Sequence, residues 1–256
     1  MILTDTHTHL YSEQFNEDID QVISNCIDKG ITRLFLPNID SKSIDGMMQL
    51  GVKYPKNCFP MMGLHPTSVK ENYKEELALV KEWMGKHQFC AIGEIGIDLY
   101  WDKTFLAAQQ EAFRFQIELA KQYNLPFVIH CRDAFNEIFE ILDELNDDKM
   151  RGIFHCFTGT IEQANHVINY GGFKIGIGGV VTFKNSGLDK VVEQIDLAHL
   201  VLETDSPYLA PTPFRGKRNE STYLYNIAER VGEIKGVSIE KVAEITTENS
   251  QQVFGF

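Results

Sequence analysis

No stretch of about 18 apolar residues occurs in this 256-residue chain, so no membrane span is expected. Its opening, MILTDTHTHL, has no basic segment followed by an apolar one, and no cleaved leader is expected either. No CxxC pair occurs, and the five cysteines (Cys26, Cys58, Cys90, Cys131 and Cys156) are odd in number. That argues against a disulfide framework and fits reduced thiols in a cytoplasmic protein. Positive charge is scarce: 24 Lys and Arg against 36 Asp and Glu give a formal charge of -12. Such a chain lacks the broad basic surface of a non-specific duplex DNA binder. No phosphate-cradling glycine loop is present, since Gly176, Gly178 and Gly179 fit neither GxGxxG nor Walker spacing. No low-complexity tract or linker divides the sequence, so residues 1–256 are expected to form a single domain.

What is present is an alternation. Short apolar runs at 2–5, 33–37, 59–63, 91–95, 127–130, 153–155, 173–177 and 200–203 read as buried strands. Between them lie amphipathic stretches: 16–29 carries Ile19, Val22, Ile23, Cys26 and Ile27 at helical spacing, and 104–123, 135–145 and 161–170 read similarly. Residues 219–256 read as two further helices. Eight strands alternating with helices predict an α/β fold, a (β/α)8 TIM-type barrel with extra C-terminal helices. An open doubly wound sheet is the alternative, because the glycines at 176–179 obscure where the seventh strand ends.

The polar residues stand out by position. His7 and His9 follow strand one, His65 strand three, and Asp205 strand eight; Glu94, His130 and His155 end strands four, five and six. In a parallel barrel these ends converge on one mouth. His7 and His9 are two apart, so in extended chain both imidazoles face one way, and Asp5, which shares their parity, could accept from a histidine N–H behind them. Glu94, flanked by Gly93 and Gly96, is costly to bury without a partner. A pair of cations, bridged by its two oxygens, is one such partner; a salt bridge to Arg132 is another. Asp98 is close enough to orient substrate or loops, and Glu203 shares the parity of Asp205. Asp205 also reads as an N-cap for a following turn. Cys131 and Cys156, next to their histidines, are expected to turn toward the helices and pack there.

Arg215, Lys217 and Arg218 form a local basic patch after strand eight, and with Arg132 they suit a phosphate-bearing substrate; a solvated loop is the plainer reading. Tyr100, Trp101 and Phe214 could stack on bases or anchor loops.

The motifs TDTHTHL, GLHP, GEIGIDLYW, FVIHCRDA, HCFTGT and ETDSPYLAP with RGKRNE stand in the order and spacing of the TatD family of metal-dependent deoxyribonucleases, which the chain resembles from Ile2 to about Asn249. The resemblance implies an amidohydrolase-type barrel, a dinuclear divalent-metal site and phosphodiester hydrolysis, commonly as a 3′-to-5′ exonuclease. It implies that His7, His9 and Asp205 bind one metal, His130 and His155 the other, and that Glu94 bridges both. Two positions depart from the family: Tyr11 stands where an acidic or amide residue is common, and Ser221 where Pro is common. The nitrogen and oxygen ligands suit Zn, Mg, Mn, Fe or Ni. The expected chemistry is attack by a metal-bridging hydroxide, with Asp205 accepting its proton and His65 and Arg132 stabilising charge. The expected substrate is DNA, single-stranded or with frayed ends, or a small phosphodiester, with no membrane and no obligatory protein partner. The alternative is an amidohydrolase acting on C–N or carboxylic ester bonds.

Overall fold

Runs of β-branched and aromatic residues too short for helices bury as strands, and the amphipathic stretches between them wind over the resulting sheet. The structure is a computed structural model and describes residues 1–256. Its strands are β1 (Leu3–Asp5), β2 (Ile31–Pro37), β3 (Cys58–Met61), β4 (Ile92–Asp98), β5 (Phe127–Arg132), β6 (Gly152–Phe154), β7 (Phe173–Ile177) and β8 (Leu200–Leu202). Between them run α1 (Ile19–Asp28), α2 (Ile44–Lys53), α3 (Tyr73–Lys86), α4 (Leu106–Tyr123), α5 (Phe135–Leu145), α6 (Ile161–Asn169) and α7 (Leu188–Gln194); α8 (Leu224–Lys235) and α9 (Ile239–Phe254) follow β8. No helix is long and apolar enough to cross a membrane.

All strand pairs are parallel and sequential, β1 to β3 in one set and β4 to β8 in the other. A bridge between Met62 and Ile92 joins the sets. The Thr6 N–H donates to the Leu202 carbonyl at 3.1 Å and closes β8 onto β1. The sheet is therefore a (β/α)8 barrel and not an open one. The doubtful seventh strand ends at Ile177, and a short 3-10 turn follows over Gly179–Thr182.

The period-two alternation of strands sorts the side chains. Phe35, Met61, Ala91, Val128, Ile153 and Val201 pack inside the barrel with Val253 of α9. Their neighbours Leu34, Leu36, Phe127, Ile129, Phe154, Ile175 and Ile177 join the larger core beneath the helices. At the N-terminal end of the barrel Phe254 stacks on Phe35 at 3.9 Å, and the Arg33 guanidinium lies over the Phe256 ring at 4.1 Å. Two residues beyond Val128, Ile153 and Val201 come His130, His155 and Glu203. The same inward parity that builds the apolar layer thus delivers polar groups to the layer above it.

Helix α4 braces that upper layer. Gln109 and Gln116, two helical turns apart on one face, are both buried. The Gln109 side chain accepts from the Asp98 N–H at 2.8 Å and donates to the Asp98 carbonyl at 3.2 Å. Gln116 does the same at Leu64, at 2.7 and 3.2 Å. Two backbone segments that carry site residues are thereby tied to one rigid helix.

Candidate metal centre

Seven of the residues singled out from the sequence gather at the C-terminal mouth: His7, His9, His65, Glu94, His130, His155 and Asp205. Glu94 is at their centre, buried, and its two oxygens face different groups. On one side, Oε2 lies 3.1 Å from His7 Nε2 and 3.6 Å from His9 Nε2. Asp205 Oδ1 completes this side, 3.7 and 3.5 Å from the same two nitrogens. On the other side, Oε1 lies 2.8 Å from His130 Nδ1, 2.9 Å from His155 Nε2 and 3.4 Å from His65 Nε2. Arg132 does not pair with Glu94; its guanidinium lies over the Tyr100 ring at 3.7 Å.

The glycines around Glu94 let neighbouring backbone approach closely. A Cβ at Gly96 would overlap the His130 carbonyl, and one at Gly63 would press on the Gly93–Glu94 backbone. Across the barrel, Gly176 vacates the space that the Glu203 carboxylate occupies.

Outer partners decide which ring nitrogen faces inward. The Tyr11 hydroxyl donates to the Pro37 carbonyl, so it accepts from His9 Nδ1–H at 2.7 Å, which leaves the lone pair on His9 Nε2. Asp98 Oδ2 takes the Nε2 side of His130 at 2.9 Å and turns Nδ1 toward Glu94. Glu203, fully buried, sets Oε1 3.2 Å from His155 Nδ1 and accepts from the Cys156 N–H. His65 is arranged the other way. Its Nδ1 accepts from the Thr67 N–H at 3.1 Å, so the neutral ring carries its proton on Nε2, facing the site. His65 is therefore a donor toward the mouth, whereas His9 offers it an acceptor.

Burial acts to raise the Glu94 carboxyl, but interaction with the surrounding imidazoles, His155 foremost, outweighs it and holds Glu94 well below the ordinary carboxylate range. Burial opposes protonation of His155, yet Glu94 and Glu203 lift that imidazole well above its usual range. Burial and the nearby His155 push His7 down. The donor set fits divalent cations. His7 Nε2 and His9 Nε2 face each other at 3.3 Å, close enough to share one proton or one ion, and buried His7 Nδ1 has no protein partner. His7, His9 and Glu94 form one group whose ligand atoms lie within 4.8 Å of one another, and His7, His155 and Glu203 form another; His65 also converges with Glu94 and His130, but it faces them with its N–H. The converging atoms are nitrogen and oxygen with no sulfur, a set that takes Zn, Mn, Fe, Ni or Mg.

Several residues lie elsewhere than expected. Asp5 reaches no ring nitrogen; its carboxylate accepts from the Thr204 N–H at 2.9 Å and the Thr204 hydroxyl at 2.6 Å, fastening β1 to the end of β8. Burial pushes its carboxyl up to about 7. The Asp205 carbonyl accepts from the Tyr208 N–H at 2.8 Å and opens the expected turn, but its carboxylate lies among the histidines, with the backbone at φ 57°. Arg218 is held away from the mouth by Asp18, at 2.8 and 2.6 Å, and by Glu220 at 2.9 Å. Arg215 lies over Phe183 at 3.8 Å, and Phe214 stacks on Tyr223 at 4.0 Å. Neither these nor Lys217 line the mouth cavity of about 630 Å³; of the basic set only Arg132 does. Cys131 packs partly against the core, but both it and Cys156, which turns to φ 44°, border the cavity instead of facing only the helices. Tyr11 was visible in the sequence only as a departure from a family pattern. Its contact with His9 follows the same i,i+2 parity that pairs His7 with His9.

The family model described as TatD related DNase matches residues 4–255. The metal-dependent hydrolase YabD of Bacillus subtilis (strain 168) is 40% identical over 99% of this chain and 99% of its own length. The 3'-5' ssDNA/RNA exonuclease TatD of Erwinia billingiae (strain Eb661) is 31% identical over 98% of each. Among solved structures, the TatD homolog YJJV from Escherichia coli K12 superposes with a TM-score of 0.93 at 25% identity, covering 99% of this chain and 98% of that one.

Proposed function

The chain belongs to the TatD-related DNase family of metal-dependent hydrolases, and on that premise we propose that it removes nucleotides from the 3′ end of single-stranded nucleic acid, using two divalent cations held on either side of Glu94. The observation that carries this reading is the division of labour at that carboxylate: Oε2 faces His7 and His9, and Oε1 faces His130 and His155. His7, His9 and Asp205 would hold one cation, His130 and His155 the other, and Glu94 both. Bound there, the pair supplies a water of lowered pKa and neutralises phosphate oxygens.

The remaining work falls to side chains. Asp205, facing His7 and His9 at the edge of the cavity, accepts the proton of the attacking water at its carboxylate. His65 donates from Nε2 to a phosphate oxygen, in the tautomer fixed by Thr67. Arg132, which makes no ion pair with the protein and lines the cavity, takes a second phosphate oxygen. A single basic side chain, Arg132, on the cavity of a chain of charge -12 favours a single strand over a duplex. Arg215 and Lys217 stand outside the cavity and can meet only a longer substrate. The whole of 1–256 works as one domain in this reading, and its free thiols support a reducing, cytoplasmic setting. The relatives are named as metal-dependent hydrolases and a 3'-5' ssDNA/RNA exonuclease, which does not favour hydrolysis of C–N or carboxylic ester bonds.

The test is to strip the protein with a chelator, restore each metal in turn, and assay single-stranded and duplex DNA with wild type and Glu94→Ala. The expected result is metal-dependent trimming of single strands from the 3′ end by wild type and its loss in Glu94→Ala. Undiminished cleavage by metal-free Glu94→Ala contradicts the reading, as does faster attack on duplex interiors.

A further inference from the structure

The mouth cavity is not isolated. A second groove of about 530 Å³ adjoins it, and Cys131, Arg132 and Thr158 line both. At the junction stand two of the most exposed large side chains of the protein, Trp101 at 75% and Tyr100 at 51%. An aromatic of that size gains from being covered, and neither the core nor a neighbouring loop covers these two. They are nevertheless held in a set geometry. Tyr100 and Trp101 meet edge to face with ring centres 4.7 Å apart, and the Arg132 guanidinium lies 3.7 Å above Tyr100 and 5.6 Å from Trp101. The Tyr100 N–H donates to Asp98 Oδ1 at 3.0 Å, while Oδ2 of the same carboxylate holds His130. One aspartate thus fixes the aromatic pair relative to the metal-facing imidazole.

We propose that Trp101, Tyr100 and Arg132 form a base-stacking subsite that receives one unpaired nucleobase of the strand, next to the nucleotide being cleaved. The subsite rests on the nuclease reading above. The charges define which part of a nucleotide goes where. Arg132, on the wall common to the two hollows, lies where the backbone joining adjacent nucleotides must pass. Trp101 lines the mouth cavity, and Tyr100 lines the second groove with Asp133 and Glu137, whose charge disfavours a phosphate there, so a base and not the backbone lies over the aromatic pair. A flat base has a π-face whatever its identity, so the subsite is indifferent to sequence. It is not indifferent to pairing, because a base stacked on Trp101 has left its complement. The preference for single strands then has a structural source in addition to net charge.

The test is a cycle on 3′-end trimming of a single-stranded DNA oligonucleotide, intact or with one abasic nucleotide moved through the positions nearest the 3′ end. Removing the base at the position that reaches the platform is expected to lower kcat/KM of the wild type about tenfold, the scale of one aromatic–base stack. Trp101→Ala is expected to lose a similar factor on the intact strand and nothing more when the base is removed, and Trp101→Phe to keep part of both effects. Trp101 is mostly exposed, so the variants remain folded. An abasic penalty of equal size in wild type and Trp101→Ala overturns the subsite and leaves the nuclease reading intact. No trimming of any oligonucleotide by the metal-loaded wild type overturns both.

Discussion

The protons on the ring nitrogens carry much of the chemistry here, and those of His9, His130 and His65 are each set by one neighbour. Tyr11 gives His9 an acceptor at 2.7 Å and Asp98 gives His130 one at 2.9 Å. Partners of this kind are worth 10- to 100-fold in metal affinity, so Tyr11→Phe and Asp98→Ala are each expected to weaken binding by about that factor. Isothermal titration of the stripped proteins checks it, and each substitution should weaken one of two resolved binding steps and spare the other. A uniform loss, or none, would refute the pairing of Tyr11 and Asp98 with separate cations. His65 differs by its tautomer: Thr67 donates to its Nδ1. His65→Ala is expected to lower kcat while metal content, measured by mass spectrometry of the bound elements, stays at the wild-type level. The sequence makes the converging set legible because strand ends meet at one mouth. It does not make Arg218 legible, because a run of basic residues says nothing about which acid lies across from each, and Asp18 is 200 positions away.

Helix α4 does more for the mouth than its sequence suggests. Gln109 and Gln116 look like ordinary polar positions of an amphipathic helix, yet both are buried and doubly bonded to backbone at Asp98 and Leu64. Replacing Gln116 with Leu leaves a buried N–H and a buried carbonyl unpaired, at about 1–3 kcal/mol each. The expected outcome is a loss of about 2–6 kcal/mol in urea denaturation together with reduced activity, because Leu64 precedes His65. A neutral result in both would mean that α4 does not brace the loop. Hydrophobic periodicity identifies strands and helices but is blind to such braces, since it scores a glutamine as solvent-facing wherever it falls. The same blindness hides Gly176. Its neighbours mark it as part of a doubtful strand, and only the packed barrel shows that it makes room for Glu203.

At the scale of the molecule, a barrel filled below by Phe35, Val128, Ile153 and Val201 carries a polar layer above, where Glu94, His7 and Asp5 lie buried together. The eight-fold alternation was legible because each strand is buried on both faces. The exact strand ends were less so, because Glu94 and the residues around the GIGG segment obey local space requirements that periodicity does not encode. A layer of crowded ligand atoms is stabilised by the cations it holds, so metal binding should raise the stability of the fold. At a metal concentration of a hundred times Kd the gain is about 2.7 kcal/mol per site, and about 2–4 °C in Tm follows per kcal/mol for a chain of this size. Scanning calorimetry with and without chelator is therefore expected to show a Tm drop of about 10–20 °C on removal of both metals; an unchanged Tm would count against a preformed site. The most direct measurement is anomalous diffraction from crystals soaked in Mn²⁺. Two peaks about 3.5–4 Å apart are predicted, one beside Glu94 Oε2 with His7, His9 and Asp205, and one beside Oε1 with His130 and His155. A single peak, or two that do not share Glu94, would contradict the account.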